Sequence, residues 1–338
     1  MTPMRVAIVG CGSIATVWAG ALSTRHDVEI VALVDSQPEA AKGFGDRHAI
    51  TCPVFTDVAL ALSAEPIDVV CNITPPEVHA AVDLLALDAG CHVLTEKPLT
   101  PSVAEGKRVH AAAQAAGRRV SVMQNRRFDP WARGLAAFVA SGALGAPAIV
   151  SVDYFMSLSF GGFRAQMDNP LLLDMAIHHF DQARYLSPVP AVRVSCVEVN
   201  PEGSPFRGNA AVVCTFERTD GSLVSYRGSW ATPGLSSPWA ATWRISGSLG
   251  SATWDGEREV QAEVVDGGGM RALAVAPVGS GRLDHAGCID EMLDALAEDR
   301  PAETDIADNL QSLAMVEAAV ESARRRQPVD VEQFAASR

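Results

Sequence analysis

Met4-Arg-Val-Ala-Ile-Val-Gly-Cys-Gly-Ser-Ile-Ala15 decides the fold. A short apolar run rich in Val and Ile ends on G-x-G-x-x-A and passes into a helical pattern, which spells strand, tight turn, helix. Gly10 permits the turn, Gly12 lets a pyrophosphate approach the backbone, and Ala15 allows close packing of helix on strand. Ser13 and Ile14 complete the turn, whose helix N-terminus faces the phosphates. The next apolar run, Val28-Glu-Ile-Val-Ala-Leu-Val-Asp35, ends in a carboxylate twenty residues beyond Ala15. That is the offset of a group that accepts from ribose hydroxyls.

Outward from this unit the same grammar continues. Strands are expected at 5–10, 28–35, 53–55, 67–74, 91–96 and 119–124, with helices near 13–24, 38–48, 57–63, 76–89 and 102–116. Gly90 and Gly117 stand where a helix C-terminus favours a left-handed residue. Strands alternating with helices predict a doubly wound parallel sheet over residues 1–124. After Asn125 the pattern changes to helices near 130–140 and 172–186, a strand near 147–157, and strands near 192–200, 210–218, 222–230, 241–247, 251–254 and 259–265. Asp266-Gly-Gly-Gly269 reads as a tight loop, and helices follow at about 284–298 and 304–325. Residues 125–338 are therefore expected to form an α+β domain with a largely antiparallel open sheet, its last helix packing back on the first domain.

The chain has 338 residues, 48% of them hydrophobic, and a mean hydropathy of +0.12, enough apolar material for two folded domains. Twenty-seven basic against forty acidic residues leave a net charge of −13, the wrong sign for nucleic acid or an anionic membrane. No apolar run approaches the ~18 residues that span a bilayer. The seven cysteines form no C-x-x-C pair and the start does not read as a signal peptide, so a reduced, cytoplasmic protein is expected.

With Thr74-Pro75-Pro76 and His79 after the fourth strand and Glu96-Lys97-Pro98 after the fifth, the chain resembles the glucose-fructose oxidoreductase and inositol dehydrogenase family (Gfo/Idh/MocA). The resemblance continues through Gln124-Asn-Arg-Arg-Phe-Asp-Pro130 and Asp174-Met-Ala-Ile-His-His-Phe-Asp181 to Glu321-Ser-Ala-Arg324. It implies a Rossmann domain joined to an α/β domain with an open sheet, the active site between them, and NAD(P)-dependent oxidation of sugars, cyclitols and related polyols. The family's glycine-rich stretch is here Asn169-Pro-Leu-Leu-Leu173 and its motif glycine is Ala176, which bears on the substrate pocket.

Moving a hydride to or from a carbinol carbon requires a group to exchange the hydroxyl proton and a donor to polarise the oxygen. Lys97, Asp174 and His178 supply these: Asp174 and His178 are four apart on an expected helix, and Lys97 follows a strand of the parallel sheet. Each has a plainer alternative: a surface lysine, a satisfied core histidine, or, with Asp181, a metal-binding set; no metal is expected, because no second cluster completes a shell. Thr74, Pro75, His79 and Glu96 join the glycine turn and Asp35 as cofactor-side residues, His79 being either structural or near the phosphates. Arg164, Arg127 and Asn125 are candidate substrate contacts, against the alternatives of a surface arginine and a domain-bridging ion pair. His285 is a further candidate for the cleft, and Trp230, Trp239 and Trp243 read as sheet packing or interface. The rival readings are an NAD-retaining glycosidase that oxidises its sugar transiently and a nucleotide-sensing regulatory protein.

Asp35 is followed by Ser-Gln-Pro, with no cation before Lys42 to receive a 2′-phosphate, so NAD should bind more tightly than NADP. Titration with both cofactors checks this, and Asp35→Ala with Ser36→Arg should move the preference toward NADP. Apolar strands such as Val212-Val-Cys-Thr-Phe216 would leave exposed surface on an open sheet, so a homodimer or homotetramer joined through the second domain is expected. Light scattering should return a multiple of 35.7 kDa, and a monomer mass would overturn this.

Overall fold

The computed structural model describes residues 2–279 and 283–335, which divide into two units. In the first, β1 (Met4–Val9), β2 (Val28–Val34), β3 (Val54–Phe55), β4 (Val69–Asn72), β5 (His92–Thr95) and β6 (Val120–Val122) form one parallel sheet in the order β3-β2-β1-β4-β5-β6. Helices α1 (Ala15–Leu22), α2 (Pro38–His48), α3 (Val58–Ala64), α4 (Pro76–Asp88) and α5 (Val103–Ala116) connect the strands. The strand interiors are largely apolar because both faces are covered: Val6 to Val9 and Val69 to Cys71 are all buried. The order reverses between β1 and β4, so the connections leave in opposite directions and open a crevice at the carboxyl ends of these two strands.

This unit comprises residues 2–125 together with 283–311. The expectation from residue 125 onward is one domain whose last helix packs back on the first; here a segment past residue 282 belongs to the first unit. The reason is the exposed edge of β6. Val122 donates its N–H to the Thr304 carbonyl at 2.9 Å, so the returning chain covers hydrogen-bonding groups that an edge strand would leave open. Helix α9 (Asp284–Ala297) buries Cys288, Ile289, Met292 and Leu293, and Arg25 reaches Asp294 at 2.7 Å.

The second unit comprises residues 126–279 and 312–335. It contains α6 (Pro130–Ala140), β7 (Pro147–Phe155), α7 (Phe163–Gln166), a π-helical stretch Leu171–Ala176, and α8 (Ile177–Leu186). Strands β8 (Ala191–Val199), β9 (Ala211–Arg218), β10 (Leu223–Ser229), β11 (Thr242–Gly247), β12 (Gly250–Trp254), β13 (Val260–Asp266), β14 (Gly269–Val275) and β15 (Val329–Asp330) complete it with α10 (Ile306–Arg325), whose first turns belong to the first unit, and α11 (Glu332–Ala335). The nine-stranded sheet runs β14-β13-β12-β11-β7-β10-β9-β8-β15; β7 and β10 are parallel and the other neighbours antiparallel.

One face of this sheet is packed and the other open, as period-two alternation requires. On β9, Val212, Cys214 and Phe216 are buried whereas Val213 is 52% exposed. Phe180 of α8 meets Phe216 and Tyr226 edge-on, with ring centroids 4.8 and 5.3 Å apart, and this aromatic cluster anchors the helix to the sheet. Strand β14 is absent from the sequence expectation. Asp266-Gly-Gly-Gly269 is a hairpin turn, with Gly267 and Gly268 both at positive φ (57° and 88°), so the chain reverses and pairs again. No helix among the described residues is long and apolar enough to cross a membrane.

Candidate cofactor and active site

The crevice is built from three turns. In the first, Gly10 has φ +93°, and a Cβ there would lie 2.6 Å from the Ile73 carbonyl oxygen, so the β1–α1 turn rests directly on the β4–α4 turn. Gly12 differs: nothing lies within 4 Å of where its Cβ would be, so packing does not demand a glycine there. The open space beside Gly12 and the start of α1, which no side chain caps, fit a pyrophosphate. Ser13 and Ile14 are exposed in this turn, and Ala15 is buried against the sheet.

Asp35 is tied into the same turn. Its Oδ2 accepts from the Cys11 N–H and its Oδ1 from the Gln37 N–H, both at 2.9 Å. The carboxylate is thus oriented beside the glycine turn and remains part-exposed, as a ribose-hydroxyl acceptor must be.

The residues of the second and third turns hold each other. The ring of His79, on α4, lies with Nδ1 2.8 Å from the Pro98 carbonyl and Nε2 2.8 Å from the Thr74 carbonyl, and is fully buried. It braces the Thr74-Pro75 turn against the Lys97-Pro98 turn, a contact of the kind its structural reading describes. Glu96, expected on the cofactor side, accepts from the Trp18 indole N–H at 2.8 Å and from the Lys97 N–H at 3.1 Å. Both oxygens are therefore engaged in fixing α1 to the end of β5. Lys97, part-exposed at that end, is the side chain this turn presents.

In the second unit, Asp174 lies in the π-helical stretch and His178 in the α-helix that continues it. The expectation of one regular helix over 172–186 is corrected: the wide turn inserts an extra residue into the ladder just where the polar side chains stand. Arg164 donates from Nε to Asp174 Oδ2 at 2.6 Å, with the Asp174 side chain 12% and His178 7% exposed. His179 is enclosed by Tyr154, Tyr226 and Trp243, and burial pushes its imidazole well below the usual range, which keeps it neutral.

Arg127 is only 6% exposed. It forms a buried two-point ion pair with Asp181 inside the second unit, Nε to Oδ2 at 2.7 Å and Nη2 to Oδ1 at 2.6 Å, and Ser312 donates to the same carboxylate at 2.8 Å. Asn125 donates to the Asp284 carboxylate, with His285 Nδ1 3.2 Å away, so both stand in one polar cluster of the first unit. Trp230 and Trp243 are sheet packing, whereas Trp239 is 47% exposed beneath the Arg126 guanidinium.

Residues 4–124 match the oxidoreductase family with an NAD-binding Rossmann fold, and residues 132–253 match the GFO/IDH/MocA C-terminal domain. The chain is 35% identical over 188 residues to inositol 2-dehydrogenase 4 of Saccharopolyspora erythraea, covering 54% of each. It is 30% identical over 198 residues to D-glucoside 3-dehydrogenase of Escherichia coli, covering 57% of this chain and 56% of that one. Its fold matches an oxidoreductase from Agrobacterium radiobacter, crystallised with NAD+, L-tartaric acid and magnesium, at a TM-score of 0.88. That match has 22% identity and covers 98% of this chain and 99% of the other.

The two glycines should separate folding from binding. Gly12→Ala should melt like the wild type yet bind NAD more weakly, because its methyl enters the space left for the pyrophosphate. Gly10→Ala should lower stability by about 2–4 kcal/mol, from a positive φ and a backbone clash. Thermal melts and NAD titration of both variants check this.

Proposed function

Because the chain belongs to the GFO/IDH/MocA oxidoreductase family and carries its NAD-binding Rossmann domain, we propose that it transfers a hydride between nicotinamide and a secondary hydroxyl of a sugar, cyclitol or related polyol. The observation that carries this reading is the polar helix of the second unit. There Asp174 and His178 stand at the junction of a wide turn and an α-helix, and Arg164 fixes the direction of the Asp174 carboxylate. The relatives named above as inositol and glucoside dehydrogenases act on substrates of this class, which supports the same reading.

The nucleotide is held by Gly10, Gly12, Ser13, Ile14, Ala15 and Asp35, with Thr74 and Pro75 from the neighbouring turn. The bound nicotinamide supplies a two-electron acceptor. The chain's own residues manage the proton: neutral His178 takes it from the hydroxyl as the C–H bond breaks, Asp174 hydrogen-bonds substrate or orients the imidazole, and Lys97 orients and polarises the reacting oxygen. Arg164 serves the site through Asp174. Assembly into a homodimer or homotetramer through the open sheet face belongs to this reading, supported by Val197 and Val213, which are 64% and 52% exposed there.

A panel of sugars, inositols and sugar acids with NAD, followed by NADH absorbance, tests the activity; no turnover of any alcohol would sink it. With a good substrate, Lys97→Ala should lower kcat at least ~100-fold while NAD affinity stays nearly intact. His178→Ala should do the same and remove the acid limb of the oxidation pH profile, since a neutral imidazole is required. If either residue is dispensable for turnover, the catalytic assignment fails.

A further inference from the structure

Beneath the β4–α4 turn lies a buried polar chain that touches none of the groups assigned to chemistry. Asp83, on α4, accepts at Oδ1 from Asn72 Nδ2 at 2.7 Å, and the same amide nitrogen donates to the His79 carbonyl at 3.1 Å. On the other side, Asn72 Oδ1 accepts from the Thr74 hydroxyl at 2.6 Å and from the Thr74 N–H at 3.3 Å. Partner chemistry determines the orientation of the amide. A carboxylate and a carbonyl only accept from it and a backbone N–H only donates to it, so the Asn72 side chain reads one way round. Thr74 is held at three points: hydroxyl and N–H by Asn72, and carbonyl by the His79 ring.

This arrangement is poor value as stabilisation alone. Asn72, His79 and Asp83 are fully buried, and Asp83 Oδ2 is a buried oxygen with no hydrogen-bond partner. Burial pushes the Asp83 carboxyl up to about 7, opposed only in part by the Asn72 amide. A half-satisfied buried carboxyl destabilises relative to an apolar residue of similar size. What it does supply is the direction of the Asn72 amide, and hence the placement of Thr74 and of the turn on which Gly10 rests.

We propose that Asp83 is a positioning residue for the dinucleotide: without touching it, Asp83 orients Asn72, which holds the Thr74 turn against the glycine turn. The inference rests on the NAD site described above and extends it to a residue two steps removed from any cofactor contact. Charge is not what the network needs. Asn72 requires an acceptor at that point, and a carboxamide at position 83 provides one.

The test is NAD titration of purified protein by calorimetry, alongside thermal melts, for the wild type and for Asp83→Ala, Asp83→Leu and Asp83→Asn. Losing the acceptor should weaken NAD binding about 5- to 20-fold in Asp83→Ala and Asp83→Leu, the scale of a hydrogen bond removed. Asp83→Asn should rescue affinity to within about twofold. Asp83→Leu fills the space with apolar atoms and should melt no lower than the wild type, so its weaker binding would not reflect lost stability. Affinities of Asp83→Ala and Asp83→Leu equal to the wild type, or affinity that simply follows the melting temperature across the set, would overturn the proposal. Failure of the wild type itself to bind NAD would instead overturn the cofactor site, and this inference with it.

Discussion

The contact between Gly10 and the Ile73 carbonyl governs the first unit. Once β1 and β4 are neighbours in a parallel sheet, the turns leaving their carboxyl ends must lie side by side, and here they do so with no room for even one methyl group. Only glycine accepts both the φ of +93° and that proximity. The consequences spread along the sheet edge. The Cys11 N–H reaches Asp35, α1 begins over open space at Gly12, and Trp18 on α1 reaches across to Glu96 at the end of β5. An edge braced in this way presents the backbone to a pyrophosphate with little reorganisation on binding.

The second unit solves a different problem, which is to keep several charged groups in and near a packed core. Asp181 is fully buried and takes two hydrogen bonds from Arg127 and one from Ser312. Such a pair gains little over apolar packing, but loss of either partner would strand a charge. His179 avoids the problem by remaining neutral among aromatic rings. Asp174 and His178 keep slight exposure, and the Asp174 carboxylate is matched by Arg164. Four polar residues within eight positions thus divide into two enclosed in the core, His179 and Asp181, and two that keep some exposure, Asp174 and His178.

The order of the parallel strands and their helices was legible because each is a local pattern. Apolar runs of strand length punctuated by Gly90 and Gly117 need no distant partner to be recognised, and both glycines do adopt positive φ. Other features were not legible. Strand β14, with its Arg-Ala-Leu-Ala composition, carries no strand signal apart from the pairing that the Gly267-Gly268 turn enforces. The wide turn at 171–176 is an extra residue in a helical ladder, and an apolar stretch such as Leu171-Leu-Leu173 looks the same with or without it. The return of 283–311 to the first unit answers the open edge of β6, a demand made by another part of the chain.

The sequence by itself determined the Rossmann grammar, the family, and the identity of the glycine turn with its carboxylate at Asp35. These depend on residues near one another in the chain, whose sterics and spacing act before any tertiary contact forms. The tertiary structure decided which of the polar residues are available. Arg127, Glu96 and His79 were each candidates in one dimension, and each hydrogen-bonds a partner brought from 54, 78 and 19 residues away respectively. Burial makes those partners obligatory, because a polar group removed from water must be satisfied by whatever the fold places beside it, and no local pattern records what that will be.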